Sequence, residues 1–372
     1  MSARVLPHAG LSPTPSKKET TLRQVMKMAV AATAASLALA ACSSSGTTTP
    51  TATSGATGGG AAAAIKVGMA YDVGGRGDQS FNDAAAAGLD KAAKELGISS
   101  KEASAANGEA ESAREERLQQ LIDAGYTNIV AVGFAYADSV KKVAATNKNV
   151  KFALVDSTGA QGANIENITF AEHEGSFLVG AAAALKSKTG KIGFVGGVEM
   201  DLIKKFEAGY TAGAKAVNPN IKVSVKYLTQ PPDMSGFGSV DKGKLAAEGM
   251  YQDGADVVYH AAGGSGGGVF TAAKAAGKWA IGVDSDQAAS PSLASVKDVI
   301  ITSMLKKVDV GVYDFIKSVK DGTFKSGEKV FNLKSNGVGY STTGGQVDDI
   351  KAKLDDLKQQ IVDGKITVPT KP

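Results

Sequence analysis

From residue 65 onward the sequence predicts an α/β fold of two doubly wound lobes, and three observations predict it. Short runs rich in Val and Ile recur between Gly, Asp or Asn, as parallel strands buried on both faces do. Amphipathic stretches of helical period separate these runs. The pattern then restarts after the Ala- and Gly-rich run GAAAA at 180–184, where KIGFV at 191–195 reads as a fresh first strand. Repeated βα units imply right-handed crossovers. In open α/β sheets ligands collect at the carboxyl ends of strands, so two facing lobes place a site in the cleft between them.

In chain order the first lobe is expected to hold strands IKVGMA (65–70), IVAV (129–132) and FALV (152–155), with helices at 82–96, 112–124 and 137–147. Within 112–124, Leu118, Leu121 and Ile122 repeat at helical spacing while Arg114, Glu115, Glu116 and Arg117 supply the wet face. A helix at 172–187 leads to the second lobe. There the expected strands are IGFV (192–195), VSVKYL (223–228), VVY (257–259) and AIGV (280–283), with helices at 203–217, 242–252 and 267–276.

The segment ahead of the lobes has a different character. Lys17, Lys18, Arg23 and Lys27 precede an apolar stretch at 28–41, and small residues lead to Cys42, the only cysteine. That is the layout of a secretory signal, and its ending, LAAC at 39–42, resembles the bacterial lipobox, in which the Cys is acylated and becomes the new N-terminus. Residues 1–41 are therefore expected to be a lipoprotein signal peptide; a start at Met26 would leave a shorter signal that suffices. Residues 42–64 are the lipidated Cys and an uncharged tether, unable to offset its ordering entropy by burial. As a flexible coil it spans about 25 Å. Arg4 and the four basic residues above, against Glu19, carry the whole net charge of +4, so the exported remainder is formally neutral and bulk-charge binding of nucleic acid has no support. With its one Cys committed to lipid, the chain has no disulfide, zinc or iron–sulfur framework to offer.

The candidate ligand residues stand at strand ends. The first strand runs into DVGGRGDQSFND (72–83). Its glycines could cradle a pyrophosphate, but Asp72 and Asp78 would repel one and Ser80 stands where a third glycine belongs. A neutral, hydrogen-bonding ligand fits better: carboxylates accept N–H or O–H groups, Asn82 both donates and accepts, and Phe81 offers a flat face. Alternatively, Phe81 plugs the core while Asp83 caps the helix. Phe206, in KKFEAGYTAG (204–213), holds a comparable place in the second lobe, so the two rings suggest a clamp on a planar group, with core packing as the other reading. The glycines of YHAAGGSGGG (259–268) let backbone N–H groups approach a ligand. Asp284 ends a strand where a carboxylate can hold a sugar diol, and Lys306 can donate to the same diol or be a solvated helix charge.

Together AYDVGGRGDQSFNDAAAAGL, FEAGYTAGAKAV, YQDGADVVYHAAGGSGGGVF, GVDSDQ and TSMLKKVDVGVYD resemble the basic membrane protein family of bacterial lipoproteins, whose best-understood members are purine-nucleoside-binding subunits of ABC importers. The resemblance implies a type I periplasmic-binding-protein fold, two Rossmann-like lobes joined by a three-strand hinge. The first lobe would comprise 65–170 with about 302–325, the second 171–301 with about 326–372, with hinge points near 170, 285 and 325. It further implies a purine stacked between Phe81 and Phe206, base-edge contacts from Asp72, Asn82 and Asp138, and ribose contacts from Gly264, Gly266, Asp284 and Lys306. The expected partners are adenosine, guanosine or inosine and an ABC permease. The protein is expected to be a monomer, lipid-anchored outside the cytoplasmic membrane, with no cofactor, metal or nucleic acid.

Two features depart from the family pattern. Arg76 replaces a small or acidic residue and either tunes the ligand toward an acidic feature or faces solvent. The segment TQPPDMSGFGSVD (229–241) is longer than usual and is expected to form a lip over the cleft, making Phe237 an outside candidate for ligand contact.

Other function classes fit less well. His173 and His260 neighbour no Ser nucleophile motif, and GSVDKGKL (238–245) has Leu245 where a phosphate-binding loop needs Ser or Thr for Mg²⁺; no enzyme is expected. A binding protein for a sugar or signalling metabolite, or an adhesin on the same fold, remains the alternative.

Overall fold

The computed structural model describes residues 65–372; the expected signal peptide and tether, and Cys42, lie outside the described residues. Strand β1 (Lys66–Tyr71) leads to α1 (Phe81–Leu96), β2 (Ser99–Ser104), α2 (Glu111–Asp123), β3 (Asn128–Ala131), α3 (Ala137–Thr146), β4 (Lys151–Val155) and β5 (Ile165–Phe170). After α4 (Glu172–Lys186) the same alternation repeats. It runs through β6 (Lys191–Val198), α5 (Asp201–Val217), β7 (Lys222–Thr229), α6 (Val240–Gln252), β8 (Val257–Ala261), α7 (Gly266–Ala276), β9 (Trp279–Asp284) and β10 (Ile300–Lys306). The chain closes with α8 (Val308–Lys320), β11 (Gly327–Phe331), β12 (Val338–Tyr340) and α9 (Lys351–Val362).

The strands form two six-stranded sheets, ordered β11-β5-β4-β3-β1-β2 and β12-β10-β9-β8-β6-β7. All pairings are parallel except β10 with β12. This is the expected pair of doubly wound α/β lobes. In each, the order reverses beside the first strand, so a crevice opens at the carboxyl ends there. The buried runs of β1, β3, β4, β8 and β9 are the apolar stretches legible in the sequence.

The chain crosses between sheets three times: from Phe170 into α4, from Lys306 into α8, and between β11 and β12. Two expected lobe boundaries move accordingly. Residues 302–306 belong to the second sheet, because β10 lies parallel to β9 and buries Ile300, Ile301 and Met304 there. Its buried Thr302 and Ser303 are satisfied by Ser341 of the same lobe, through Thr302 Oγ1 to the Ser341 carbonyl at 2.7 Å and the Ser303 N–H to Ser341 Oγ at 2.9 Å. Residues 327–331 belong to the first sheet, where β11 pairs with β5 and Phe331 stacks on Phe170 at 5.3 Å. The crossings therefore fall after 306 and after 331, not near 285 and 325.

Helices α4 and α5 approach closely because glycines leave their contact face bare. A Cβ on Gly180 would lie 2.0 Å from the Tyr210 carbonyl oxygen, and one on Gly213 would lie 1.9 Å from that of Phe177. This contact fixes the helix carrying Phe206 against the first crossover. Gly213→Ala should therefore cost about 2–3 kcal/mol by overpacking, seen as a lower urea midpoint. Gly249→Ala in α6, with open space around it, should instead gain up to about 1 kcal/mol from helix propensity. Equal midpoints for the two variants would contradict this packing.

Candidate functional site

A cavity lies between the carboxyl ends of the two sheets. Six of the nine ligand contacts that the family resemblance implies line it: Asp72, Phe81, Asn82, Phe206, Asp284 and Lys306. Asp78, Phe134, Asp156, Met234 and Phe237 also face it, among others.

The first wall is the loop after β1. Asp78 accepts from the backbone N–H groups of Ser80, Asn82 and Asp83 at 2.9, 2.9 and 3.0 Å, so it caps α1. Asp83, the alternative cap, instead accepts from Gly77 and Gln79 and folds the loop back on itself. With the loop thus set, Phe81 is the first helical residue and faces the cleft. Asn82 is 2% exposed; its Nδ2 donates to Asp78 at 3.0 Å while its Oδ1 has no partner. Asp72 lies against Gly133, where a Cβ would come within 2.4 Å of its Oδ2. Burial pushes the Asp72 carboxyl up to about 6, despite the Val73 N–H it accepts at 2.8 Å and the charge of Arg114.

The opposite wall comes from the second lobe. Phe206 projects from α5 out of a cluster with Ile203 and Tyr210. Asp284 ends β9 with a left-handed backbone, φ 64°, and accepts from Ser80 Oγ of the first lobe at 2.5 Å. Burial pushes its carboxyl up to about 6, opposed by the charge of Lys306 and by that hydrogen bond.

Lys306, 2% exposed at the end of β10, is the hub. Its ammonium donates to Asp156 Oδ2 at 2.5 Å and lies 3.6 Å from Glu172 Oε1. The rings of Phe81, Phe170 and Phe206 surround it, with centroids at 4.9, 5.1 and 5.6 Å. Burial alone would lower its pKa, but Asp156, Glu172 and Asp284 outweigh burial and hold it above the usual lysine value. Asp156 was not foreseen in the sequence. It follows β4 with φ 65°, as Asp284 ends β9 with φ 64°, and β4 and β9 hold equivalent ranks in the two sheets. An Asp closing a strand was the available signal.

Three expected contacts do not line the cavity. Asp138 is exposed in the first turn of α3 and is not part of the lining, whereas Phe134 and Ala135 just before it are. Gly264 gives way to the adjacent Gly263. Gly266 is a packing residue: a Cβ there would fall 2.0 Å from His260 Cε1. Arg76 faces outward, bonded to Asp90 at 2.7 Å and Glu102 at 2.5 Å. The 229–241 segment does form a lip, with Met234 and Phe237 lining the cavity.

Chemically, the cavity is a slot with aromatic rings on both lobes and acceptors to spare. Asn82 Oδ1 and Asp156 Oδ1 are buried without partners, and Asp72 and Asp284 add carboxylate oxygens. Among the described residues its one lining cation, Lys306, is already committed to carboxylates, so a phosphate would meet net negative charge. The complement is a flat, neutral ligand carrying several N–H and O–H donors. Among the described residues no cluster of His, Cys, Asp and Glu is arranged to hold a metal ion, and no helix is long and apolar enough to cross a membrane.

A family model described as ABC transporter substrate-binding protein PnrA-like (Bmp) matches residues 65–371. The chain is 39% identical over 323 residues to the CD4+ T-cell-stimulating antigen of Listeria monocytogenes, covering 82% of this chain and 88% of the relative. It is 37% identical over 324 residues to the ABC transporter nucleoside-binding protein BmpA of Lactococcus lactis subsp. cremoris, covering 82% and 90%. Among solved structures, an ABC transporter system solute-binding protein from Aeropyrum pernix K1 matches with a TM-score of 0.71 at 31% identity, covering 82% of this chain and 93% of that one.

The raised Asp284 carboxyl has a pH consequence of definite sign. Its folded-state pKa exceeds the unfolded value, so its contribution to stability is full below about 4 and is lost as pH rises through about 6. Relative to Asp284→Asn, the ligand-free protein should gain roughly 1 kcal/mol between pH 7 and pH 5, measured by urea unfolding. A difference that stays constant, or reverses, would contradict the buried setting described for this group.

Proposed function

The chain belongs to the Bmp family of PnrA-like ABC transporter substrate-binding proteins, and from that premise we propose that it captures a purine nucleoside between its lobes and delivers it to an ABC permease. The observation that carries this reading is the pair Phe81 and Phe206, on opposite lobes, grouped around the Lys306 ammonium. In the proposal the base stacks between these rings, its edge donating to Asp72 and Asn82 Oδ1. The ribose hydroxyls meet Asp284 and the ammonium of Lys306. The nucleoside-binding description of the Lactococcus lactis relative supports the same ligand class.

No covalent step is involved. The ligand touches both lobes only when they are shut, so binding shifts the population toward the closed form. The structure contains cross-lobe contacts of the kind such a form requires, between Ser80 and Asp284 and from Gln287 to the Gln79 carbonyl. The proposal also includes lipid on Cys42, which with a tether of about 25 Å would hold the cleft within reach of a membrane permease.

A thermal-shift panel tests the ligand class. Adenosine, guanosine or inosine at 100 times its dissociation constant should add about 2.7 kcal/mol of stability, whereas ribose, galactose and inosine monophosphate should not. Melting raised only by sugars would remove the nucleoside reading. In calorimetry Phe206→Ala should weaken nucleoside binding by roughly 1–3 kcal/mol, the worth of one stacking partner; unchanged affinity would remove Phe206 from the site. Binding should also weaken as pH falls through about 6, as Asp72 and Asp284 protonate and cease to be free acceptors. That is opposite in sign to their effect on ligand-free stability.

A further inference from the structure

Gln287 does not line the cavity, yet its side chain bridges the two lobes. It is 1% exposed, just after β9. Its Oε1 accepts from the Val283 N–H at 2.8 Å and pairs with His260 Nε2 at 3.1 Å, both in its own lobe. Its backbone N–H donates to Ser303 Oγ at 3.2 Å, again in the same lobe. Its backbone carbonyl accepts from the Ser290 N–H at 3.2 Å, also in that lobe, and only Nε2 is left: it donates to the Gln79 carbonyl of the first lobe at 2.8 Å. Gln79 stands two residues before Phe81 in the left-handed conformation, φ 58°, which aims its carbonyl across the cleft.

The backbone around this pair is cleared for it. A Cβ on Gly282 would lie 2.6 Å from Gln287 Oε1, and the bare Gly266 makes room for the His260 ring, which Phe270 holds edge-on at 5.0 Å. His260 is fully buried, which keeps its imidazole neutral. Because the Val283 N–H already fixes Oε1 as an acceptor, the tautomer that satisfies the contact is the one with the proton on Nε2, and the two donors together fix which end of the amide faces the cleft. The donor is thus pre-oriented by one lobe before the other arrives, and closing orders no further side chain.

We propose that Gln287 is a positioning residue for ligand capture: it latches the loop carrying Phe81 onto the second lobe and so sets how long a bound ligand is held. Ser285 Oγ, which donates to the same carbonyl at 3.3 Å, is the weaker second arm of the latch. The inference rests on the capture reading above for its ligand, but not for its cross-lobe contact.

The test separates the two. Gln287→Glu keeps the shape and the accepting oxygen but sets oxygen against the Gln79 carbonyl; Gln287→Met removes the donor at similar volume. Spin labels on Lys101→Cys and Lys226→Cys, in a Cys42→Ala full-length chain, report the separation of the lobes. Without ligand, both Gln287 variants should shift the distance distribution to longer values. Inosine release should quicken about tenfold, with association changed less than about twofold. The preference for nucleoside over free base should be unchanged, because no ring or diol contact is altered; a merely destabilised site would lose it. Ser285→Ala should move distance and release in the same direction, by about twofold in rate.

Wild-type distances and release in Gln287→Glu and Gln287→Met would overturn the latch. Should those variants fail to fold, wild-type behaviour in Ser285→Ala would overturn it equally. A wild-type chain that binds no nucleoside would sink the capture reading, and the ligand-free distances would still decide the latch.

Discussion

The buried ammonium of Lys306 is the constraint on which the rest of the site depends. A lysine almost without solvent contact persists only if opposite charge is close and well directed. Its neighbours come from three different places: Asp156 from the end of β4 in the first lobe, Glu172 from the first turn of α4 at the first crossover, and Asp284 from the end of β9 in the second lobe. One cation therefore pins both lobes and a connecting segment. Removing it would leave carboxylates buried without compensation, a change that typically costs about 3–5 kcal/mol.

The same cluster decides what the cavity can hold. With Lys306 already surrounded by carboxylates, the site has no spare positive charge, and Asp72 adds another acidic group. Burial makes charge costly there and raises the carboxyls of Asp72 and Asp284, so hydrogen donors on an uncharged ligand are the natural complement. The rings of Phe81 and Phe206 add flat apolar surface on either side of that polar hub. The loop geometry serves the same end: Asp78 caps α1 and also accepts from Asn82 Nδ2, which fixes the amide and leaves its Oδ1 without a partner, open to a ligand donor.

Much of this was legible in the sequence because central parallel strands advertise themselves. IVAV, FALV and AIGV are continuous apolar runs, and each coincides with a buried strand to within one residue. The strands β2, β5, β10, β11 and β12 were not legible, and for the first three the physical reason is plain. Strand β2 is an exposed polar edge, SSKEAS. Strand β5 carries the buried polar Glu166 and Asn167 in its middle, and β10 carries Thr302 and Ser303, whose partner Ser341 is remote in sequence. That hidden strand moved the lobe boundary. In the site, Asp156 carried the same strand-end signal as Asp284 but lay in a segment with no other unusual feature. Phe134 and Asp138 share one short segment, and only the turn of the backbone there decides which of them faces the cavity. Spacing along the sequence does not contain that turn.

A crystal structure of the protein grown with inosine would test the central claim most directly. The account predicts the purine between Phe81 and Phe206, the base edge on Asp72 and Asn82, and ribose hydroxyls within hydrogen-bond distance of Asp284 and Lys306. Inosine bound elsewhere, or a cavity that stays empty at saturating ligand while Lys306 keeps its carboxylate partners, would contradict it.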